Sequence, residues 1–277
     1  MKLTLGFSTC PNDTFIFDAM IHGKVDTEGL TFDVTMTDVE ELNRKAFSHD
    51  IQVTKLSYHA FAYVASNYLL LSTGSALGRK NGPLLISKNP GIPGKMDLNC
   101  VAIPGKYTTA NLLFSLFYPE VKEKREYLFS DIEDALLKGE TDAGVIIHEN
   151  RFTFEKRGLH KLDDLGERWE NETSLPIPLG GIAADNSLPL EILIKLDRVL
   201  KKSVLYALEN PGASAGFVKE NAKEMDDEVI RKHISLYVNN FTVNLGVEGE
   251  RAIRSFFDKA MLLNLIPEIP LHYFLKS

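Results

Sequence analysis

His148 ends a short apolar run, Ala143-Gly144-Val145-Ile146-Ile147, and leads into Glu149-Asn150. Such a run, following a helical stretch and a Gly-Glu turn, reads as a buried parallel strand. Polar side chains just past the carboxyl end of such a strand line the crevice where open α/β sheets hold ligands. Imidazole is the side chain best suited to move a proton near neutral pH, so His148 is a candidate general base. The alternative is a hydrogen-bonded structural histidine. Three further segments share the order strand end, polar turn, helix start: Ser8-Thr9-Cys10-Pro11-Asn12-Asp13-Thr14, Thr54-Lys55-Leu56-Ser57 and Pro104-Gly105-Lys106-Tyr107-Thr108-Thr109-Ala110. Each sets hydroxyls or amides beside free backbone N–H groups at a helix N-terminus, where anions bind readily. Helix capping accounts for the same residue types and is compatible with ligand binding.

Lys55 reads as a clamp for a carboxylate rather than a Schiff-base lysine, because nothing in the sequence points to a carbonyl substrate or a pyridoxal site. Cys10 lies near a helix N-terminus, which is expected to lower its pKa. Pro11 follows it directly and no partner histidine can be assigned, which counts against a nucleophile. His148 and Glu149, adjacent on a strand, are expected to face opposite ways and so cannot share one metal. The other histidines, including His22, His49, His59 and His233, fall on predicted helices or loops without metal-ligand spacing. No metal site is supported. Gly74-Ser75-Ala76-Leu77-Gly78 fits neither a dinucleotide fingerprint nor a phosphate loop.

The elements that must position these residues alternate strand and helix. Leu3–Phe7, Leu30–Met36, a strand from Ile51, Leu69–Leu71 and Pro83–Ile86 are predicted strands. Helices are predicted over Asp13–His22, from an Asp38/Glu41 cap to Phe47, and from Ser57 towards Ala65. Asn89-Pro90-Gly91-Ile92-Pro93-Gly94 reads as a linker. Beyond it come the strand Cys100–Ile103, a helix from Thr108 to Tyr118, a Ser130–Glu133 capping box opening a helix that ends at Gly139, and the His148 strand. A second punctuated stretch, Leu175–Gly181, precedes Ile182-Ala183-Ala184, and amphipathic helices follow over Leu190–Leu208, Asp227–Val238 and Glu248–Leu263. The alternation predicts a mostly parallel α/β sheet with helices on both faces. The two linkers divide the chain into a discontinuous large lobe, residues 1–90 and 180–277, and a small lobe, residues 91–179. Such lobes close on a ligand by hinge bending.

Composition sets the boundaries. With 277 residues, 44% of them hydrophobic and 25% charged, the chain reads as a soluble globular protein. A net charge of −7 argues against nucleic acid or an anionic membrane as partner, so an anionic small molecule would have to be attracted locally. No signal peptide and no membrane span is expected, and the two cysteines form no disulfide framework, which together suggest a cytoplasmic protein. The oligomeric state is left open.

The order and spacing of Ser8–Phe15, Thr54–Ser57, Gly105–Ala110 and Ile146-Ile147-His148-Glu149 resemble those of the 1,4-dihydroxy-6-naphthoate synthases, lyases of the futalosine route to menaquinone. The resemblance extends to Leu77-Gly78 and Tyr237-Val238-Asn239. It implies a fold like the type II periplasmic binding proteins, two lobes with a ligand cleft, and no cofactor. It implies that cyclic dehypoxanthinylfutalosine is cleaved at carbon–carbon bonds to 1,4-dihydroxy-6-naphthoate and dihydroxyacetone. It places the proton acceptor on His148 and substrate contacts on Lys55, Leu56, Ser57, Thr109 and Ala110. Thr9 stands where a proline is common. Chorismate dehydratase of the same pathway shares the fold, but the His148 segment and Cys10-Pro11-Asn12-Asp13 weigh against it. A solute-binding protein serving a transporter is a rival of another class, and a signal peptide or lipidation cysteine is expected of it.

Overall fold

A computed structural model describes residues 1–91, 98–222 and 226–276. In chain order the first part comprises β1 (Lys2–Phe7), α1 (Pro11–Ile21), β2 (Thr31–Met36), α2 (Val39–Phe47), β3 (Val53–Ser57), α3 (Tyr58–Val64), β4 (Tyr68–Leu70) and β5 (Ala76–Gly78). A middle part follows with β6 (Leu84–Ser87), β7 (Cys100–Ile103), α4 (Thr109–Phe117), β8 (Glu123–Glu126), α5 (Ile132–Lys138), β9 (Ala143–Ile146), β10 (His160–Asp164) and α6 (Leu165–Thr173). The chain closes with β11 (Ile177–Asp185), α7 (Leu190–Glu209), α8 (Ala215–Asn221), α9 (Asp227–Tyr237), α10 (Asn240–Val243) and α11 (Gly246–Leu262).

These strands form two sheets, and each is mixed rather than mostly parallel. The first has the order β2-β1-β3-β11-β4, with β5 also on β11; the second has the order β10-β6-β9-β7-β8. Within the first, β1 is parallel to β2 and β3, while β11 runs antiparallel to β3, β4 and β5. In the second, β7 is parallel to β8 and β9, and β6 is antiparallel to β9 and β10. The antiparallel members, β6 and β11, are the first strands laid down after the chain changes sheet. A strand arriving from another sheet needs no helical crossover and can enter in either direction. The stretch Leu175–Gly181, read as punctuation, is largely strand, and its Pro178 and Gly180 mark a register shift in β11. Proline in a strand is tolerated at such irregular positions. The predicted Asn89–Gly94 linker lies partly outside the described residues. The predicted capping box at Ser130–Glu133 is replaced by a 3-10 turn, Phe129–Asp131, running straight into α5, which ends at Gly139 as expected.

Apolar patterning explains the layers. Leu3, Leu5 and Phe7 alternate along β1 and pack with Phe15, Phe17, Leu193 and Leu196 of α1 and α7, the rings of Phe7 and Phe17 stacking at 4.5 Å. Ser203 of α7 ties the two helices, accepting from Met20 N–H and donating to the Ile16 carbonyl. A second core joins both sheets, from Leu56 and Phe61 through Phe256 and Phe257 to Phe114 and Trp169. Beside the loops at the strand ends, buried His59 of α3 links the sheets, its Nδ1 3.1 Å from the Thr108 carbonyl. A carbonyl only accepts, so Nδ1 carries the proton.

Burial pulls the His59 imidazole down to about 4, whereas an unfolded histidine titrates near 6.5. Between those values the unfolded chain takes up a proton that the folded chain refuses, so stability rises with pH. Thermal unfolding followed from pH 7 downward should show stability falling through this window. His59→Gln should make the fall shallower by up to about 1.4 kcal/mol per pH unit; an unchanged slope would contradict the burial argument.

Candidate active site

The carboxyl ends of β1, β3, β7 and β9, two from each sheet, open onto one cleft of about 640 Å³, part of it open to solvent. Lys55, Leu56, Ser57, Thr109, Ala110 and His148 all line it. Asn12, Asp13, Asn81 and Tyr237 line it as well.

The cleft floor is set by a charge problem. Every residue of β3 is buried, and Lys55 sits in its centre opposite Ile182 of β11. A lysine ammonium so placed must be paired. Asp13, in the first turn of α1, supplies the partner at 2.9 Å from Nζ to Oδ1. The carboxylate is otherwise filled: Asn12 Nδ2 donates to Oδ1 at 2.8 Å, and Ser8 donates to Oδ2 through Oγ at 2.7 Å and N at 3.2 Å. Lys55 is therefore no free cation awaiting a carboxylate; its charge is already balanced, and only its remaining N–H groups are left for a ligand.

The helix starts behave differently from simple caps. Ser57 makes no side-chain cap bond; its N–H donates to Asn43 Oδ1 at 3.0 Å and its Oγ accepts from Asn43 Nδ2 at 3.3 Å. The hydroxyl proton remains for a ligand. Thr108, not Thr109, caps α4 by accepting from Asn111 N–H. The Thr109 hydroxyl donates to the Leu179 carbonyl at 2.5 Å and accepts from His59 N–H, so it bridges α4 to β11. What Thr109 and Ala110 offer the cleft is the backbone N–H groups of the first turn of α4, where the helix dipole favours an anion. Cys10 heads α1, yet burial pushes its thiol well up, with the Glu149 carboxylate adding to the rise. The expected lowering is thus outweighed, and no activated thiolate exists there.

His148 follows β9 in a 3-10 turn, His148–Phe152, rather than continuing the strand. The premise that His148 and Glu149 point to opposite strand faces therefore does not hold. His148 takes φ 57°, a left-handed conformation that costs a non-glycine residue about 1–3 kcal/mol. This turn carries the ring to the cleft against the edge of Phe129, at 4.9 Å between centroids. Its Nε2 is shielded from solvent and has no hydrogen-bond partner. Burial lowers the imidazole pKa, opposed by Glu149 and then Asp38 and Asp13. The ring is held neutral, the form in which a base accepts a proton.

Sequence reasoning passed over the residues behind it. His233 of α9 is fully buried, and its Nε2 donates to Asn12 Oδ1 at 2.9 Å. Its ring stacks near that of His148 at 6.0 Å, and its Nδ1 lies 3.8 Å from Glu149 Oε2, both atoms lacking hydrogen-bond partners. Burial, then His148, drives the His233 imidazole well below its ordinary value. Tyr237, one turn on, is pushed up to about 12 by burial. The available signal was spacing: His233 and Tyr237, four apart, share one face of an amphipathic helix, and both lie on its buried side. Among the described residues no group of three or more His, Cys, Asp or Glu side chains could hold a metal ion.

Two mixed sheets meeting at a ligand cleft define the class: the chain has the generic periplasmic-binding-protein fold. A Candida albicans protein described as having that fold superposes with TM-score 0.66 at 12% identity, over 100% of this chain and 99% of the other. The protein AF1704 from Archaeoglobus fulgidus superposes with TM-score 0.89 at 34% identity, over 96% of this chain and 98% of its own. The chain belongs to the menaquinone-biosynthesis family, whose model matches residues 3–261. It is 42% identical over 268 residues to a 1,4-dihydroxy-6-naphthoate synthase from Thermus thermophilus, covering 97% of each chain.

The floor pair gives a direct test. Lys55→Met leaves the Asp13 carboxylate buried without its cation and should cost about 3–5 kcal/mol in denaturant unfolding. Lys55→Met with Asp13→Leu should recover much of that loss. A single mutant as stable as wild type would show that the pair is not buried as described.

Proposed function

We propose that this chain is a carbon–carbon lyase that converts cyclic dehypoxanthinylfutalosine to 1,4-dihydroxy-6-naphthoate and dihydroxyacetone, with His148 as general base and no cofactor. The observation that carries this reading is the neutral imidazole of His148, its Nε2 buried, unpartnered and set at the cleft by a strained turn. Fragmentation driven by aromatisation requires a proton to be removed, and one well-placed base contributes about 10²–10⁴-fold. The substrate carboxylate is received by the N–H groups at the start of α4 and by the Ser57 hydroxyl, since Lys55, the one lysine lining the cleft among the described residues, is already paired. Closing the cleft orients the substrate and excludes water.

We further propose that the two sheets mark two lobes. On strand membership, the chain crosses between Gly78 and Leu84 and returns between Asp164 and Ile177. The family relationship supports a place among the enzymes of menaquinone synthesis, and with it a cytoplasmic location. No described helix is long and apolar enough to cross a membrane.

Purified protein incubated with the cyclic futalosine derivative should release the naphthoate chromophore. His148→Ala should lower kcat at least about 10²-fold. His148→Gly should lose as much activity yet be more stable than His148→Ala by about 1 kcal/mol, because glycine adopts φ 57° freely. The acid limb of kcat/KM should lie below the ordinary imidazole range in wild type, because burial depresses His148, and should vanish in either variant. Near wild-type turnover by a folded His148 variant would return the residue to a structural role.

A further inference from the structure

We propose that Asn81 is a specificity-determining residue that binds the hydroxyl-bearing part of the substrate, the part released as dihydroxyacetone; this deepens, and rests on, the lyase reading above. Asn81 is 1% exposed and lines the cleft, yet neither Oδ1 nor Nδ2 has a hydrogen-bond partner. A buried primary amide with both ends unmatched is strongly disfavoured in a folded protein unless a ligand or water satisfies it, and a side chain lining the cleft meets either one there.

The amide is also held still. Asn81 lies on the short segment between β5 and β6 where the chain passes from one sheet to the other. Lys80 N–H donates to Glu170 Oε1 at 2.6 Å, the Gly82 carbonyl accepts from Arg151 at 2.8 Å, and the Pro83 carbonyl accepts from Leu165 N–H at 3.0 Å. Gly82 rests directly on the backbone of Gly166, where a Cβ would fall 2.3 Å from the Gly166 Cα. Lys80, Gly82 and Pro83, flanking Asn81, are thus held by α6 or by the turn after β9, while the Asn81 side chain has no hydrogen-bond partner. That is the arrangement of a pre-organised ligand contact.

The chemistry of the amide selects its partner. A carboxylate offers only acceptors and would face Oδ1 unfavourably, whereas a hydroxyl can accept from Nδ2 and donate to Oδ1. The ligand therefore lies with its carboxylate at the start of α4 and its hydroxyls at Asn81. Because the segment joins the two sheets, the same contact sits where a hinge between them would bend.

The test compares Asn81→Leu and Gly78→Ala with wild type. Leucine removes both polar atoms while keeping the branched shape of the side chain; the Gly78 Cβ would fall 2.7 Å from Asn81 Nδ2 and displace the amide while keeping it in the chain. Both variants should raise KM for the cyclic substrate about 10- to 100-fold. Inhibition by 1,4-dihydroxy-6-naphthoate, which lacks the departing fragment, should stay unchanged. The Tm of Asn81→Leu should hold or rise, since an unsatisfied buried amide is replaced by an apolar group. An unchanged KM in either folded variant overturns the proposal and leaves the lyase reading standing. A lowered Tm together with weaker naphthoate inhibition assigns Asn81 a structural role and also overturns it. If Asn81→Leu does not fold, Gly78→Ala decides between the same outcomes. If wild type itself fails to cleave the substrate, the lyase reading falls and the proposal with it.

Discussion

The ion pair between Lys55 and Asp13 fixes the geometry around which the cleft is built. A lysine in the middle of an all-buried strand can be accommodated only if a carboxylate meets it, and the start of α1 delivers one at 2.9 Å. Saturating that carboxylate in turn sets Ser8 and Asn12. Asn12 then passes the constraint on, accepting from His233 and so docking α9 against the cleft floor. Glu149, beside His233, belongs to the turn that presents His148. One buried charge is thus connected, contact by contact, to the placement of the candidate base. Breaking a buried pair costs far more than the pair contributes in net stability, which makes such a network specific rather than strongly stabilising.

The same pairing decides how the cleft treats charge. With Lys55 balanced by Asp13, the proposed anion site would rest on helix N–H groups and hydroxyls, which would hold a carboxylate without adding a fixed positive charge beside the candidate base. A free lysine there would further disfavour protonation of His148, as Lys55 already does to a small degree. The imidazole is kept neutral chiefly by burial, and its basicity is protected by the carboxylates of Glu149, Asp38 and Asp13. Burial and negative charge act in opposite directions on one ring, an arrangement frequent at catalytic sites.

Much of this was legible in the sequence because it is local. The alternation of Leu3, Leu5 and Phe7, the Asp38 cap and the long amphipathic pattern of α7 each announce an element from neighbouring residues. The apolar run before His148 located a residue at the cleft for the same reason. What escaped was non-local. Nothing near Ile177 indicates that β11 returns antiparallel beside β3, because strand direction is set by where the chain comes from. The Lys55 clamp was read from its turn alone, while its partner lies 42 positions away. His233 is separated from Asn12 by 221 positions, and Asn81 stands out only by bonds it does not make.

The central claim is that the cleft holds a neutral, desolvated imidazole ready to accept a proton. The ring resonances of His148, identified by their loss in His148→Gly, can be followed by NMR across about pH 4 to 8. They should report a neutral ring at pH 7 and a midpoint below the ordinary histidine value of about 6.5. A midpoint at or above that value, with the ring charged at neutral pH, would contradict the account.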